Sequence, residues 1–299
     1  MKQKLLISIF LLVASPLSAQ LQNASTGLTF LKLGVGGRAI GMGEAYTALS
    51  NDAAGIYYNP AGIATGSTDE ITFMHKDWIF GTAIEYLGAT VHSGAFALGF
   101  GLNSTNVDNI EIRQAPGPSL GTFGVHDMAI SVTASWRIDT SLSIGATGKF
   151  LYEKIYVDES SGAAFDLGAK YEVNQNIAVA AAISNIGSTS SLASESTTLP
   201  STFRVGVSYS STTSGEFGYT IATDILKVPQ DTGTRVHVGA ETVYESFLSL
   251  RAGYQFGYEA KGYSVGLGIR YGLVEFDYAF VPFLDDLGNT HTFALSFNL

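Results

Sequence analysis

Leu248-Ser249-Leu250-Arg251-Ala252-Gly253-Tyr254-Gln255-Phe256 puts an apolar residue at nearly every second position and a small or polar one between. Tyr263-Ser264-Val265-Gly266-Leu267-Gly268-Ile269-Arg270 repeats the pattern a few residues later, and Val274-Glu275-Phe276-Asp277-Tyr278-Ala279-Phe280 repeats it again. A period of two marks a strand with two unlike faces. The charges say what those faces meet. Arg251, Arg270, Glu275 and Asp277 all stand on the face without aromatics.

The rule holds upstream. Asp166, Lys170 and Glu172 alternate with Phe165, Leu167, Ala169 and Tyr171. Arg204 alternates with Phe203 and Val205, and Arg235 and Glu241 alternate with Val236, Val238 and Ala240. Lys149 and Asp224 keep the same parity in their segments. On a lipid-facing wall an Arg or Lys near mid-membrane costs about 2–4 kcal/mol. The polar face is mostly Gly, Ser, Thr and Ala with sparse charges of both signs. Such a face suits a packed lumen better than the wet side of a soluble sandwich. These twelve residues are therefore read as lumen-facing charges.

Composition agrees. Of 299 residues 14% are charged, against about 25% in soluble domains, while 46% are hydrophobic and 12% aromatic. The absence of cysteine excludes a disulfide scaffold, a thiolate metal site and an acylated lipoprotein anchor. A formal charge of −10 lacks the basic footprint of a nucleic-acid binder.

Residues 1–19, MKQKLLISIFLLVASPLSA, have the charged start, short apolar run and small-residue end of a secretory signal peptide. The apolar run is shorter than the roughly 20 residues a spanning helix needs. No later segment supplies such a run, so spanning requires a closed barrel. We expect an all-β, transmembrane antiparallel β-barrel over 67–299. Its strands fall roughly at 70–76, 83–92, 95–113, 126–137, 142–154, 163–173, 177–185, 201–210, 216–227, 234–243, 247–256, 263–271, 273–281 and 290–298. That makes about 14 strands. Short turns such as Asn174-Gln175-Asn176 and Gly272 alternate with generally longer connections at 114–125, 155–162, 186–200, 228–233, 257–262 and 282–289. Outer-membrane barrels place short turns in the periplasm. The expected location is the outer membrane of a Gram-negative cell, with outer-membrane lipid as partner and both termini periplasmic.

Residues 20–66 read as a partly helical N-terminal hatch that plugs the lumen. Gly34-Val35-Gly36-Gly37-Arg38-Ala39 fits a dinucleotide fingerprint, but no βαβ unit follows, so no cofactor is expected. The glycines instead permit close backbone packing. Ile40 to Leu49 can form about two helical turns, and Asn51 and Asn59 are good N-caps. Asn59-Pro60-Ala61-Gly62 turns the chain into a short helix, with Pro60 at the first helical position. Arg38, Glu44 and Asp52 should pair with opposite charges on the inner wall.

Gly27 to Ala45, with Asn51-Asp52-Ala53-Ala54-Gly55-Ile56-Tyr57-Tyr58-Asn59-Pro60-Ala61-Gly62, resembles the N-terminal signature of the PorV/PorQ family. That family is similar in turn to FadL-type fatty-acid transporters. Asp277-Tyr278-Ala279 and the His291-containing last strand also resemble it. The resemblance implies a fourteen-stranded outer-membrane barrel with a hatch. It also implies a non-enzymatic part in type IX protein secretion, with other secretion-system proteins or exported cargo as partners. The alternative it carries is FadL-like passage of a hydrophobic small molecule.

No catalytic constellation emerges. The five histidines show no metal-binding spacing. His126-Asp127 has no nucleophile placed beside it, and Asp285-Asp286 reads as an acidic turn. No catalytic, cofactor or metal residue is assigned.

Overall fold

The computed structural model describes residues 26–113, 116–192, 197–212 and 216–299. The signal-peptide segment and the first residues of the expected hatch lie outside them. Fourteen antiparallel strands close into one barrel. They are β1 (Glu70–Asp77), β2 (Ala83–Ser93), β3 (Phe96–Glu111), β4 (Thr122–Arg137), β5 (Leu142–Ile155), β6 (Asp158–Glu172) and β7 (Ile177–Thr189). The second half comprises β8 (Thr202–Thr212), β9 (Phe217–Lys227), β10 (Arg235–Tyr244), β11 (Leu248–Phe256), β12 (Tyr263–Tyr271), β13 (Val274–Pro282) and β14 (Asn289–Asn298). β14 pairs with β1 in the register Phe297↔Ile71, which closes the ring and leaves no free edge.

The parity of each strand sets its faces. Outward Leu98 and Phe165 are each 62% exposed, and Val132 is 61%. Inward neighbours such as Thr133, Asp166 and Asp224 are fully buried. An apolar exterior around a polar interior is the inverse of a water-soluble domain, and only lipid makes such an outer surface favourable.

Connection lengths differ from expectation in one respect. The expected connection over 155–162 is a tight turn at Tyr156-Val157, with Ile155 paired to Asp158. β4 starts at Thr122 and β7 runs on to Thr189, so these strands extend further than their apolar alternation. The start of β6 likewise extends, with polar residues on both faces (Asp158-Glu159-Ser160-Ser161), which erases the period-two signal without removing the ladder. β3 to β7 hold 13–16 residues, while β8 to β14 hold 9–11. The wall is therefore taller on one side, at the end with the longer connections.

The first and last described residues lie at different mouths. Leu299 donates its N–H to the Asp69 carbonyl at 2.8 Å, at the short-turn mouth. Thr26 instead bridges Thr198 in the β7–β8 connection, at the opposite mouth. An even strand count puts only the start of β1 and the end of β14 on one side. The chain before β1 threads the lumen lengthwise, so the first described residue enters from the far end.

Candidate functional site: the filled lumen

Residues 26–69 lie inside the wall. Their regular pieces are 3-10 turns at Thr29–Lys32 and Pro60–Thr65 and helical turns at Gly37–Gly41 and Gly55–Tyr58. The helix expected over Ile40 to Leu49 begins earlier and is one turn long, because Gly43 and Glu44 take left-handed backbone conformations (φ 64 and 61) that end it. Val35, Ile40, Met42, Tyr46, Leu49 and Tyr58 form one apolar cluster with wall residues Met74, Ile84, Tyr86, Ala222, Ala279 and Ala294. Leu28, Phe30 and Leu31 form another with Ala129, Leu151, Ala164 and Leu199.

Two close approaches depend on glycine. A Cβ at Gly253 would collide with the Gly43 nitrogen, and one at Gly168 would collide with Asn59 Oδ1. At Gly253 backbone lies directly on backbone, and at Gly168 the Asn59 and Pro60 side chains lie directly on the strand backbone, which a side chain at either glycine would prevent. Asn59 caps the following turn by accepting from the Ala61 N–H at 3.1 Å. Its Nδ2 donates to the carbonyls of Thr47 (3.0 Å) and Ala169 on β6 (3.3 Å). Ser135 on β4 donates to the Ala61 carbonyl at 3.1 Å. Asn59, Pro60, Ala61 and Gly62 are thus wedged against β4, β5 and β6, and Gly62 lies against Ser50 of the same segment.

Wall charges take specific places on this segment. Arg38 donates from Nε and Nη2 to the Glu241 carboxylate at 3.0 and 2.8 Å. Glu241 also accepts from Arg251 Nε at 2.6 Å. Arg251 reaches Asp277 and, at 3.5 Å, Glu275, and Glu275 pairs with Arg270. One ionic ladder therefore runs from Arg38 across β10, β11, β13 and β12. Asp224 Oδ2 accepts from the backbone N–H of Tyr46 (3.0 Å) and Thr47 (2.9 Å) and from the Thr47 hydroxyl (2.6 Å). Lys170 donates to the Ser50 carbonyl at 2.9 Å and the Thr65 hydroxyl at 3.0 Å. Lys149 pairs with Asp166 at 2.7 Å. Arg204 lies over the rings of Tyr58 and Tyr57 at 5.3 and 5.9 Å. Arg235 pairs with Asp231 at the longer-connection mouth, and Glu172 pairs with Arg137 at the short-turn mouth.

Glu44 faces Lys261 of the β11–β12 connection at 3.6 Å. Burial alone would raise its pKa. Lys261, His237, Lys76 and Arg204 together outweigh that and lower it to about 2. For Lys261 the balance reverses, since burial outweighs Glu44 and its pKa falls. The carboxylate stays ionised because Lys261, Lys76 and Arg204 act on Glu44 together.

Asp52 departs from expectation. It meets no wall cation in an ion pair among the described residues and instead accepts from the Tyr46 hydroxyl. Burial raises its pKa, while Arg38 and the Tyr46 hydroxyl oppose the rise. The nearby wall carboxylate is Glu70, which accepts from the Ala53 N–H at 3.2 Å, so a neutral donor meets the lower cost beside it. Sequence reading missed Lys76, which donates to the Gly34 carbonyl at 3.0 Å, and His237, buried beside Tyr258 at 3.0 Å. Parity was available for both, but β1 is short and imidazole carries no fixed charge to flag it.

What remains open lies at the edges. A polar cavity of about 520 Å³ at the short-turn mouth is lined by Arg38, Asn51, Lys170, Glu172, Asn174 and Asn176. A space of about 10 Å³ beside Arg204 and Ser184 suffices for roughly one water. On the wall, an apolar depression of about 330 Å³ is lined by Phe73, Leu87, Leu102, Phe276, Phe293 and Leu295, with inward Met74 and Tyr86 at its floor. Met74 Sδ accepts from the Gly36 N–H at 3.1 Å and the Tyr86 hydroxyl donates to the Ala53 carbonyl at 2.7 Å, so this floor also holds the inner segment. No group of three or more His, Cys, Asp or Glu suited to a metal occurs among the described residues.

Closure, an apolar exterior and a stitched interior define a plugged barrel of the outer-membrane type. The profile of the Uncharacterised protein family (UPF0164) matches residues 12–183, and the chain belongs to that family. No curated protein matches the sequence. Among solved structures, the CymD monoaromatic hydrocarbon channel is similar over 92% of this chain and 99% of its own, with a TM-score of 0.64 and 13% identity. The Pseudomonas putida toluene transporter TodX is similar over 88% and 96%, with a TM-score of 0.61 and 10% identity. A Pseudomonas aeruginosa FadL homologue gives 0.54 at 11% identity over 87% and 96%. At these identities the likeness is one of fold. The barrel shares its fold with these three structures, and the comparisons lend no support to the PorV/PorQ assignment, to type IX secretion or to secretion-system partners.

Proposed function

We propose that the protein resides in the outer membrane and carries hydrophobic small molecules through the barrel, residues 20–66 acting as its hatch. The expected secretion role gives way to this alternative, which the likeness to hydrocarbon channels supports better. One observation carries the reading: a FadL-like barrel whose lumen is filled by its own N-terminal segment. Polar contacts hold much of that segment, and such contacts can be exchanged for water as it shifts. The apolar wall depression favours a hydrophobic substrate, since its floor residues Met74 and Tyr86 touch both the depression and the hatch. The longer-connection mouth faces outward and the short turns face the periplasm.

The test uses the cysteine-free background. A Cβ on Gly37 would stand 3.4 Å from Ala294 Cβ, near disulfide range, and 2.7 Å from Asp277 Cβ, so β13 must give slightly to admit it. The Gly37→Cys/Ala294→Cys protein, reconstituted in proteoliposomes, should take up a monoaromatic hydrocarbon when reduced and lose that uptake when oxidised. Uptake by each single variant, whatever its level, should not change on oxidation. Uptake that ignores oxidation, or none by the parent protein, would overturn the proposal.

A further inference from the structure

The inner face of the tall wall carries oxygens that the filled lumen does not use. Thr105, Asp127 and Glu153 stand in one row across β3, β4 and β5, Thr105 opposite Asp127 and Asp127 opposite Glu153. All three take the inward parity, and side chains opposed in this way have Cβ atoms about 5 Å apart. Asn103 is the next inward residue on β3. Thr105, Asn103 and Glu153 are only 6%, 7% and 7% exposed. Thr105 Oγ1, Asn103 Oδ1, Asp127 Oδ1 and Glu153 Oε2 have no hydrogen-bond partner among the described residues. Neighbouring cations are committed elsewhere: Lys149 to Asp166 at 2.7 Å and Lys154, on the outer face, to Glu159 at 2.8 Å.

Two carboxylates side by side in a sheltered place need a counter-charge or a shared proton. Four oxygens, two of them anionic, with no nitrogen or sulfur among them, form a donor set for a hard cation. We propose that Asp127, Glu153, Thr105 and Asn103 bind a divalent hard cation, calcium in preference to magnesium, just inside the longer-connection mouth. Calcium accepts mixed carboxylate, amide and hydroxyl oxygens in irregular geometry, while magnesium demands a near-ideal octahedron that residues on three adjacent strands do not offer. Water from the mouth completes the shell. Glu153 also accepts the backbone N–H of Leu28, whose φ of 46 is left-handed, so the site adjoins the point where the inner segment enters. The proposal is independent of what passes through the barrel.

The full-length barrel, folded in detergent and freed of metal by chelator, is titrated with terbium and then with calcium at pH 7.5. Tyr86, opposite Asn103 in register, is placed to sensitise terbium emission. A saturable signal displaced by calcium is expected, with an apparent Kd of about 10⁻⁴–10⁻³ M, as in extracellular calcium modules. Magnesium should displace it at least tenfold less well. Asp127→Asn and Glu153→Gln should each weaken calcium at least tenfold, and Asp285→Asn, in the β13–β14 turn, should leave it unchanged. Thr105→Val removes a neutral ligand without touching the Leu28 contact and should weaken calcium in a barrel that keeps its heat-modifiable mobility. No calcium-displaceable signal, as a pair that merely shares a proton would give, overturns the proposal. Unchanged affinity in the folded Asp127→Asn or Thr105→Val protein also overturns it.

Discussion

Removing the Glu241 carboxylate should loosen the inner segment by a measurable and computable amount. Glu241 accepts two hydrogen bonds from Arg38 and one from Arg251. In Glu241→Ala, Arg251 keeps Asp277 and Glu275, so its charge stays compensated. Arg38 keeps the Tyr46 hydroxyl at 3.2 Å, the face of the Tyr46 ring at 5.6 Å and the weaker attraction of Asp52. Breaking a buried pair costs about 3–5 kcal/mol, and hydrogen bonds to charged groups contribute about 1.5–3 kcal/mol each. The Arg38 side chain is 26% exposed, so water recovers part of the loss and the lower end applies. About 3 kcal/mol corresponds to roughly a hundredfold rise in the open population. A thiol at Ala45, fully buried in the inner segment, reports that population as a rate of maleimide labelling. Glu241→Ala should speed labelling of the Ala45→Cys protein about a hundredfold, and Glu241→Gln should fall between. In the Arg38→Ala/Glu241→Ala pair much of the loss should cancel, because no unpaired charge remains. Labelling that does not respond to Glu241→Ala would refute the view that this ladder anchors the segment.

Three further outcomes follow from the same geometry. Gly168→Ala drives a methyl into Asn59 and Pro60, so urea unfolding in detergent should show a loss of about 1–3 kcal/mol. Val265→Arg puts a charge on the lipid face and should cost about 2–4 kcal/mol of folding in bilayers, while Leu284→Arg in the exposed β13–β14 connection should stay within about 0.5 kcal/mol. Glu44, held near a pKa of about 2, contributes stability above the ordinary carboxylate range that is lost as pH falls through about 2. The urea midpoint of the barrel in detergent should therefore fall as pH drops from about 4.5 toward 2, and Glu44→Gln should lessen that fall.

The barrel was legible in the chain because lipid imposes a rule on every second residue. Val265 and Leu267 must be apolar whatever surrounds them, and a row of Gly, Ser and sparse charge must lie behind. Alternation with short turns then fixed fourteen strands and their order of pairing. The rule weakens where a strand leaves the membrane, which is why the Tyr156-Val157 turn read as a longer connection. Sequence also put the charges on the face without aromatics, but parity says only which way a side chain points. That Glu241 meets Arg38, that Asp224 holds the Tyr46–Thr47 turn and that Asp52 turns to a tyrosine depend on how a segment distant in sequence threads the closed wall. The direction of that threading was illegible for the same reason. Strand counting constrains the wall alone, while the path of the inner segment is set by shape, down to the missing side chains of Gly253 and Gly168 that leave room for it.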